Sequence, residues 1–353
     1  PAAFATSFCL TMMLYGNFFP GFPWVLPGYI WCCHEIFLQT LSLYGIYGLS
    51  FVTLLISGFL GLAFRCHKSH DFKKSKIAAL ISVLIFSLAV LFGWYRLANN
   101  PVKFTDKKVR TIQADISQKN KNDHKLSFSN LIEHIKLSLH DSPIDLIIWP
   151  EASVPYLYKE DFRQLHDHLK SFLHKGECLL AGVVRQGLSD GKIYNSVVAI
   201  DHDGKNIATF DKRRLLPFGE YVPFREYIPF ESIAGDIGDF CVGEKTNISV
   251  INGIKIAFAI CYEIVFPNNF VPGEADVIVN VTNDGWFGFT TEPFQHLQIS
   301  RARAIENGVP LLRVTNYGIS AIFDSFGREI ARVPINQSGV TDTNIPRKAD
   351  AIF

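Results

Sequence analysis

Charge is almost missing from residues 1–64, where Glu35 and His34 are among the very few ionisable side chains. Net charge is nearly missing from the whole chain as well. The 34 Lys and Arg residues almost cancel the 33 Asp and Glu residues, leaving +1. An electrostatic nucleic-acid binder needs a basic excess, so no nucleic-acid partner is expected. The cysteines are Cys9, Cys32, Cys33, Cys66, Cys178, Cys241 and Cys261. They form no CxxC pair, and no Cys/His spacing typical of zinc occurs, so neither a metal nor another cofactor is expected. The adjacent Cys32 and Cys33 lie in apolar sequence and read as small packing residues. No repeat period or low-complexity tract stands out, which argues against a solenoid or a tail. The charged start and small-residue cleavage site of a secretory signal are not seen. The chain opens at Pro1 inside apolar sequence and ends at Phe353, as expected of a piece of a longer protein.

What the sequence does have is long apolar runs. With 353 residues, 48% of them hydrophobic, there is room for two parts. A membrane part is expected over 1–100 and a second domain over 101–353. A helix crossing the bilayer core needs roughly 20 apolar residues. "YGIYGLSFVTLLISGFLGLAF" (44–64) and "IAALISVLIFSLAVLFGWY" (77–95) meet that need without a charge. The second ends in Trp94 and Tyr95, aromatics favoured at a membrane interface. A weaker third span, 2–19, is interrupted by Gly16 and Asn17. Between the strong spans lies "RCHKSHDFKKSK" (65–76), with Arg65, Lys68, Lys73, Lys74 and Lys76 against Asp71. Basic loops stay on the cytoplasmic side, so everything after Asn99 is expected on the outer face, tethered beside the lipid headgroups. "GFPWVLPGY" (21–29) reads as a re-entrant or interfacial loop, not a helix.

From residue 108 the pattern alternates strands and helices. Strands are expected at 109–116, 145–151, 177–184, 254–261, 276–284 and 310–316. Helices are expected at 128–140, with Leu131, Ile135 and Leu139 inward, and at 161–174, with Leu165, Leu169 and Phe172 inward. A further helix is expected around 293–307. His166, His168 and His174 read as a solvated helix face. Hairpins are expected at 195–212, turning at Asp203–Gly204, and at 320–333. This argues for an α/β layered domain, with sheets inside and helices outside.

In such domains, side chains at the carboxyl ends of strands converge on one edge. Glu151, Lys212 and Cys261 each follow a strand-like run. A thiol needs a base to attack, because free cysteine is mostly protonated at neutral pH. A nearby carboxylate can take its proton. Glu151 follows Trp149 and Pro150, so dry surroundings are expected, and a carboxylate removed from water holds a proton more readily. A lysine can stabilise the negative charge of a tetrahedral intermediate. The three residue types together make an acyl-transfer set, although six other cysteines compete for the nucleophile's place.

The motifs "GFPW" (21–24), "IIWPE" (147–151), "DKRRLLPFGEYVP" (211–223), "ICYE" (260–263), "TNDGWFG" (282–288) and "RVTNYGISA" (313–321) decide among them. Over nearly the whole chain they resemble the carbon–nitrogen hydrolase (nitrilase) superfamily, and most of all its membrane-bound branch, the apolipoprotein N-acyltransferases. The resemblance implies a four-layer α-β-β-α nitrilase-like sandwich preceded by transmembrane helices. It implies Glu151 as general base, Lys212 as the oxyanion-stabilising lysine and Cys261 as nucleophile. Glu220 matches a second glutamate that would keep Lys212 charged and oriented. Tyr262 and Glu263 follow the nucleophile as they do in the family; from the residues alone, Glu263 reads as a helix-start carboxylate. Trp286 and Phe287 read from the residues as core packing, whereas the resemblance makes their loop part of a substrate-binding mouth. The implied reaction takes an acyl chain from a phospholipid, typically phosphatidylethanolamine, onto the cysteine. It then delivers the chain to the N-terminal amine of a diacylglyceryl-cysteine lipoprotein in the bacterial inner membrane, with the catalytic domain in the periplasm. One departure stands out. The family's "Q-x-x-K-W" stretch has no aromatic here, in "DISQKNKNDHKL" (115–126). Two other readings remain at this point: a membrane-anchored amidase or nitrilase using water as acceptor, and a binding or scaffolding protein without catalysis.

Overall fold

Alternation within the strands decides the architecture. In the computed structural model, Leu146 and Ile148 face one core while Ile147 and Trp149 face another. Such a strand must be covered on both faces. The structure describes all residues except 19–20, 160–162, 188–189, 225–226, 228–238, 245–247, 271–272, 289 and 351–353.

Helices α1 (Ala2–Asn17), α2 (Glu35–Leu38), α3 (Leu41–Lys68) and α4 (Phe72–Asn99) come first. Strand β1 (Phe104–Gln113), helices α5 (Gln118–Lys121) and α6 (Ser127–Ser138), and strands β2 (Leu146–Ile148) and β3 (Leu157–Tyr158) follow. Then come α7 (Arg163–Lys170), β4 (Cys178–Gln186), β5 (Ile193–Asp201), β6 (Asn206–Asp211), β7 (Ile248–Ile251) and β8 (Ile254–Ile260). The chain continues through β9 (Val277–Thr282), α8 (Glu292–Asn307), β10 (Leu311–Thr315), β11 (Ser320–Phe323), β12 (Glu329–Val333) and β13 (Gly339–Pro346).

Two sheets form. One runs β13-β1-β2-β4-β5-β6, with β3 beside β4; the other runs β12-β11-β10-β9-β8-β7. Their centres are parallel, β1-β2-β4 and β8-β9-β10, and their flanks antiparallel. The inner faces meet in a core that mixes Val109, Leu146 and Leu180 with Phe258, Val279 and Leu312. Leu131 of α6 and Leu165 and Leu169 of α7 cover the first sheet outside, and Leu297 and Ile299 of α8 cover the second. This is the expected four-layer α-β-β-α sandwich.

Several sequence expectations shift. Leu139 is not inward: it lies past the end of α6 and is 59% exposed, while His134 takes the buried position. The expected helix over 161–174 is the shorter α7, with residues 161 and 162 outside the described ones. Leu165, Leu169 and Phe172 do point inward. His168 and His174 are exposed, but His166 is half-buried and stacked on Tyr158 rather than solvated. The segment read as a loop at 21–29 runs into a 3₁₀ helix at Pro27–Cys33, because proline is well suited to a first helical position. Strands β3, β7 and β13 were not anticipated.

Helices α3 and α4, 28 residues each, are long and apolar enough to cross a membrane. Both expose apolar side chains, Leu60 and Phe64 on α3 and Leu80, Val83, Leu84, Leu88 and Leu91 on α4, which a soluble core helix would not allow. The weaker span is the 16-residue α1, with residue 19 outside the described ones. Helix α3 is broken at Gly45 (φ 62°, ψ −174°), a backbone state essentially reserved for glycine. The break frees the Ile46 N–H, which donates to Glu306 Oε1 of α8 at 2.6 Å. Gln39 Nε2 donates to the Phe326 carbonyl, and Arg301 pairs with Glu35 at 2.6 Å. These bonds seat the apolar helices against the α8 layer.

Candidate functional site

Four chain segments meet where the two sheets face each other. Strand β2 ends at Ile148 and delivers Glu151 three residues later. Gly182 of β4 lies directly beneath, where a Cβ would come within 2.2 Å of the Pro150 carbonyl oxygen. The absence of that Cβ lets the Glu151 turn pack against β4, with Ser153 N donating to Gly182 O at 2.8 Å. The β5–β6 hairpin turns at Gly204, as expected, and delivers Lys212, whose N–H donates to Asn195 O at 2.8 Å. From the opposite sheet, β8 delivers Cys261.

The backbone of Cys261 is left-handed (φ 49°), as is that of Ala152 next to Glu151 (φ 45°). A non-glycine residue in this region is strained, and such strain accumulates at functional sites. At Cys261 it turns a strand sharply into a 3₁₀ helix, Cys261–Val265. Glu263 holds that turn. Its Oε2 accepts the Ile260 N–H at 2.9 Å, and its Oε1 accepts the N–H groups of Arg213 (2.9 Å) and Arg214 (3.1 Å). One fully buried carboxylate therefore ties the Cys261 turn to the residues after Lys212. It is the helix-start carboxylate read from the sequence and a bridge between two segments as well. Burial raises its pKa, and those hydrogen bonds and Lys212 oppose the rise.

Lys212 is 1% exposed. Its Nζ lies 2.9 Å from Glu220 and 3.8 Å from Glu151 Oε1. Burial works against its charge, but Glu220, then Glu151 and Cys261, outweigh burial and the net shift is upward. Glu220 also accepts the Leu216 N–H at 2.8 Å. Asn195 completes the arrangement: its Nδ2 donates at 2.8 Å to both Glu151 Oε1 and Glu220 Oε1. Glu151 Oε2 is buried with no hydrogen-bond partner among the described residues. Buried carboxylate oxygens are normally satisfied, so this is an acceptor held ready.

The Cys261 thiol is pushed up to about 12, chiefly by burial and then by Glu151, against the opposing effects of Lys212 and the Thr282 hydroxyl. The resting form is therefore the neutral thiol, which needs a base during attack.

Two features escaped the sequence reading. The first is Lys121, in the stretch that lacks an aromatic. It donates to the Glu151 carbonyl oxygen at 2.9 Å. Burial lowers its pKa to about 8, with Glu151 and Cys261 pulling it back up. The second is a buried network beneath β9 and β10. Asp284 accepts from Arg313 at 2.5 Å and lies 2.9 Å from His296 Nδ1, and Arg313 also donates to Asn280 at 2.8 Å. Lys121, in a polar stretch, gave no sequence signal; the network's signal was Arg313, a charge inside the apolar run Leu311–Thr315.

Tyr262, left unexplained by the sequence, ties the site to the segment before α3. Its hydroxyl donates to the Gly21 carbonyl, and its ring packs on Phe22 at 5.9 Å. Trp24 extends the contact, stacking on Phe22 and meeting Phe287 at 5.7 Å. Phe287 is thus half-buried packing, whereas Trp286 is 55% exposed and does not belong to the core.

Residues 108–349 match the carbon–nitrogen hydrolase family model. The chain is 38% identical over 361 residues to a protein of Rickettsia bellii named apolipoprotein N-acyltransferase, covering 98% of this chain and 70% of that one. It is 37% identical over 356 residues to the Rickettsia prowazekii protein of the same name, covering 97% and 70%. Among solved structures it is similar in fold to a glutamine-dependent NAD+ synthetase from Acinetobacter baumannii. That likeness has a TM-score of 0.51 and 18% identity, over 69% of this chain and 48% of the other.

Proposed function

The chain belongs to the carbon–nitrogen hydrolase family and, within it, to the apolipoprotein N-acyltransferases, and from that premise we propose how it moves an acyl chain onto a lipoprotein. Residues 1–100 are the membrane part and 101–353 the catalytic part. Cys261 is the nucleophile, Glu151 the general base and Lys212 the oxyanion-stabilising cation, with Glu220 holding Lys212.

The donor is a phospholipid. As Sγ attacks the ester carbonyl, Glu151 Oε2 takes the thiol proton. Lys212 stabilises the oxygen that becomes negative in the tetrahedral intermediate. Collapse breaks the ester C–O bond, and Glu151 returns its proton to the departing lysophospholipid alkoxide. A thioester on Cys261 remains. The α-amine of a diacylglyceryl-cysteine then attacks that thioester. Glu151 takes the amine proton and passes it to the leaving sulfur, giving an amide and regenerating the thiol.

One observation carries this reading. The Cys261 thiol, pushed upward by burial and by Glu151, sits with a buried lysine and a carboxylate oxygen that has no hydrogen-bond partner among the described residues, in a turn whose tyrosine is bonded to the segment leading into two bilayer-length helices. Both substrates are lipid-anchored, so a site beside the membrane meets them where they reside. The chain is a membrane protein; we assign it multi-pass insertion in the inner membrane, with the catalytic part on the periplasmic face, from the basic residues around the α3–α4 turn. Trp286, Leu216 and Phe218 expose apolar surface on segments flanking the site, suited to an acyl chain.

The test is mass spectrometry of lipoprotein N-termini from cells depleted of the protein. Accumulating diacyl forms, restored to triacyl by the wild type but not by Cys261→Ala, are expected. Unchanged triacyl forms would overturn the reading, and release of free fatty acid without transfer would favour the amidase-like alternative.

A further inference from the structure

At the opposite edge of the first sheet, at the amino ends of β2 and β4, three side chains converge that no sequence spacing announces. They are His140, past the end of α6; His174, past the end of α7; and Glu177, just before β4. His140 Nε2 lies 2.8 Å and His174 Nδ1 lies 3.4 Å from Glu177 Oε1, and the three ligand atoms all fall within 4.8 Å of one another. The geometry points to a binding site for a divalent late first-row transition metal, held by His140 Nε2, His174 Nδ1 and Glu177 Oε1.

The hydrogen bonds around His140 fix its tautomer. Its Nδ1 lies 2.8 Å from the Ser138 carbonyl oxygen, which can only accept, so Nδ1 bears a hydrogen. In the neutral ring, Nε2 is then a bare lone pair. It faces a carboxylate oxygen at hydrogen-bond distance, inside a pair whose side chains are 1% and 5% exposed. Two acceptors do not stay so close unless a cation lies with them. That cation is either a proton, giving a buried ion pair, or a metal ion. A ligating histidine that donates its other ring N–H to a backbone carbonyl is the usual outer-shell arrangement of a metal site.

His174 favours the metal. An ion pair needs no third donor, yet His174 Nδ1 stands beside the same oxygen. In a tetrahedral site with bonds of about 2.0–2.1 Å, ligand atoms lie about 3.3 Å apart. The 2.8 and 3.4 Å separations bracket that value. The His174 side chain, 62% exposed, is free to adjust and leaves a fourth position open to water. Glu177 is fixed independently: Ile144 N donates to Oε1 at 3.1 Å and His174 N to Oε2 at 2.8 Å. Two imidazoles and a carboxylate, without thiolate, suit Zn²⁺, Cu²⁺, Ni²⁺ or Co²⁺ rather than Mg²⁺ or Ca²⁺. The ion would staple the α6–β2 connection to the α7–β4 connection, away from the strand ends that carry Glu151 and Cys261.

The test uses the full chain in detergent, stripped with a chelator and titrated with Zn²⁺ by calorimetry, then with Co²⁺ by visible absorption. The wild type is expected to bind one Zn²⁺ equivalent that raises its melting temperature. His174→Ala, at an exposed position, should fold normally and bind that equivalent at least about tenfold more weakly; His140→Gln should do the same. Co²⁺ should give a four-coordinate d–d band without the near-ultraviolet charge-transfer band of a thiolate ligand. No saturable equivalent, an equivalent unchanged in both variants, or a thiolate band alone would overturn the proposal and leave a proton as the shared cation.

Discussion

Replacing Glu151 with glutamine removes the proposed base and one negative charge while nearly preserving shape. The carbonyl oxygen of the new amide still accepts from Asn195, and the carboxylate oxygen that the amide nitrogen replaces has no partner to lose among the described residues. The fold should hold, with a melting temperature close to wild type. Chemistry should not. With its thiol pushed up to about 12, Cys261 is almost wholly protonated at pH 7, where a free thiol is a few per cent thiolate. General-base assistance is worth roughly 10²–10⁴-fold. Acyl-enzyme formation should therefore fall about 10³-fold, equivalent to about 4 kcal/mol of barrier. The residual rate depends on thiolate alone and should rise with pH, by up to about tenfold per unit where Lys121 stays charged. The same substitution removes a charge that raises the thiol's pKa, so Cys261 in Glu151→Gln should react faster with iodoacetamide than wild type does. Quenched-flow intact-mass detection of the thioester, with phospholipid in mixed micelles, measures the first rate; alkylation of the resting protein measures the second. Near-normal acylation in Glu151→Gln, or slower alkylation alongside slower acylation, would refute the assignment.

Lys121, lowered to about 8, is charged below that pH and neutral above it. Its charge favours the thiolate below pH 8 and is lost above, so Cys261 alkylation should rise less than tenfold per unit across pH 7–9. In Lys121→Met the slope should become uniform and the pH 7 rate lower; a pH profile identical to wild type would exclude this role. Glu263→Ala leaves the Ile260, Arg213 and Arg214 N–H groups without their acceptor, at about 1–3 kcal/mol for each that stays buried. A stability loss of roughly 3 kcal/mol or more by thermal unfolding is expected, and a loss below about 1 kcal/mol would show that water replaces the carboxylate. Tyr262→Phe keeps the ring contacts and deletes only the bond to Gly21 O, so hydrogen exchange should quicken at residues 21–24 and stay unchanged in β1.

Much of the fold was legible because strands β4, β5, β8, β9 and β10 are buried on both faces and read as apolar runs bounded by turn residues. Helix ends were less legible. The periodicity through 128–140 continued past Ser138, where the chain leaves the helix and exposes Leu139. Strand β13 escaped because only three of its eight residues are buried, and it gains its place by pairing with β1, more than two hundred residues away in sequence. Trp286 and Phe287, adjacent and alike in type, separate in the structure because only Phe287 meets Trp24.

By itself the sequence determined what local chemistry determines: two charge-free runs of bilayer length, the period of each strand, and motifs carrying a glutamate, a lysine and a cysteine at strand ends. Tertiary structure decided what those side chains become. The pairing order of two sheets brings Lys212 within 3.8 Å of Glu151, and a left-handed turn places Cys261 where both charges act on its thiol. Asn195, Lys121 and the His140–His174–Glu177 cluster have no local signature. Their roles come from partners distant in the chain, and electrostatics and hydrogen bonding act over a few ångströms of space, whatever the separation in sequence.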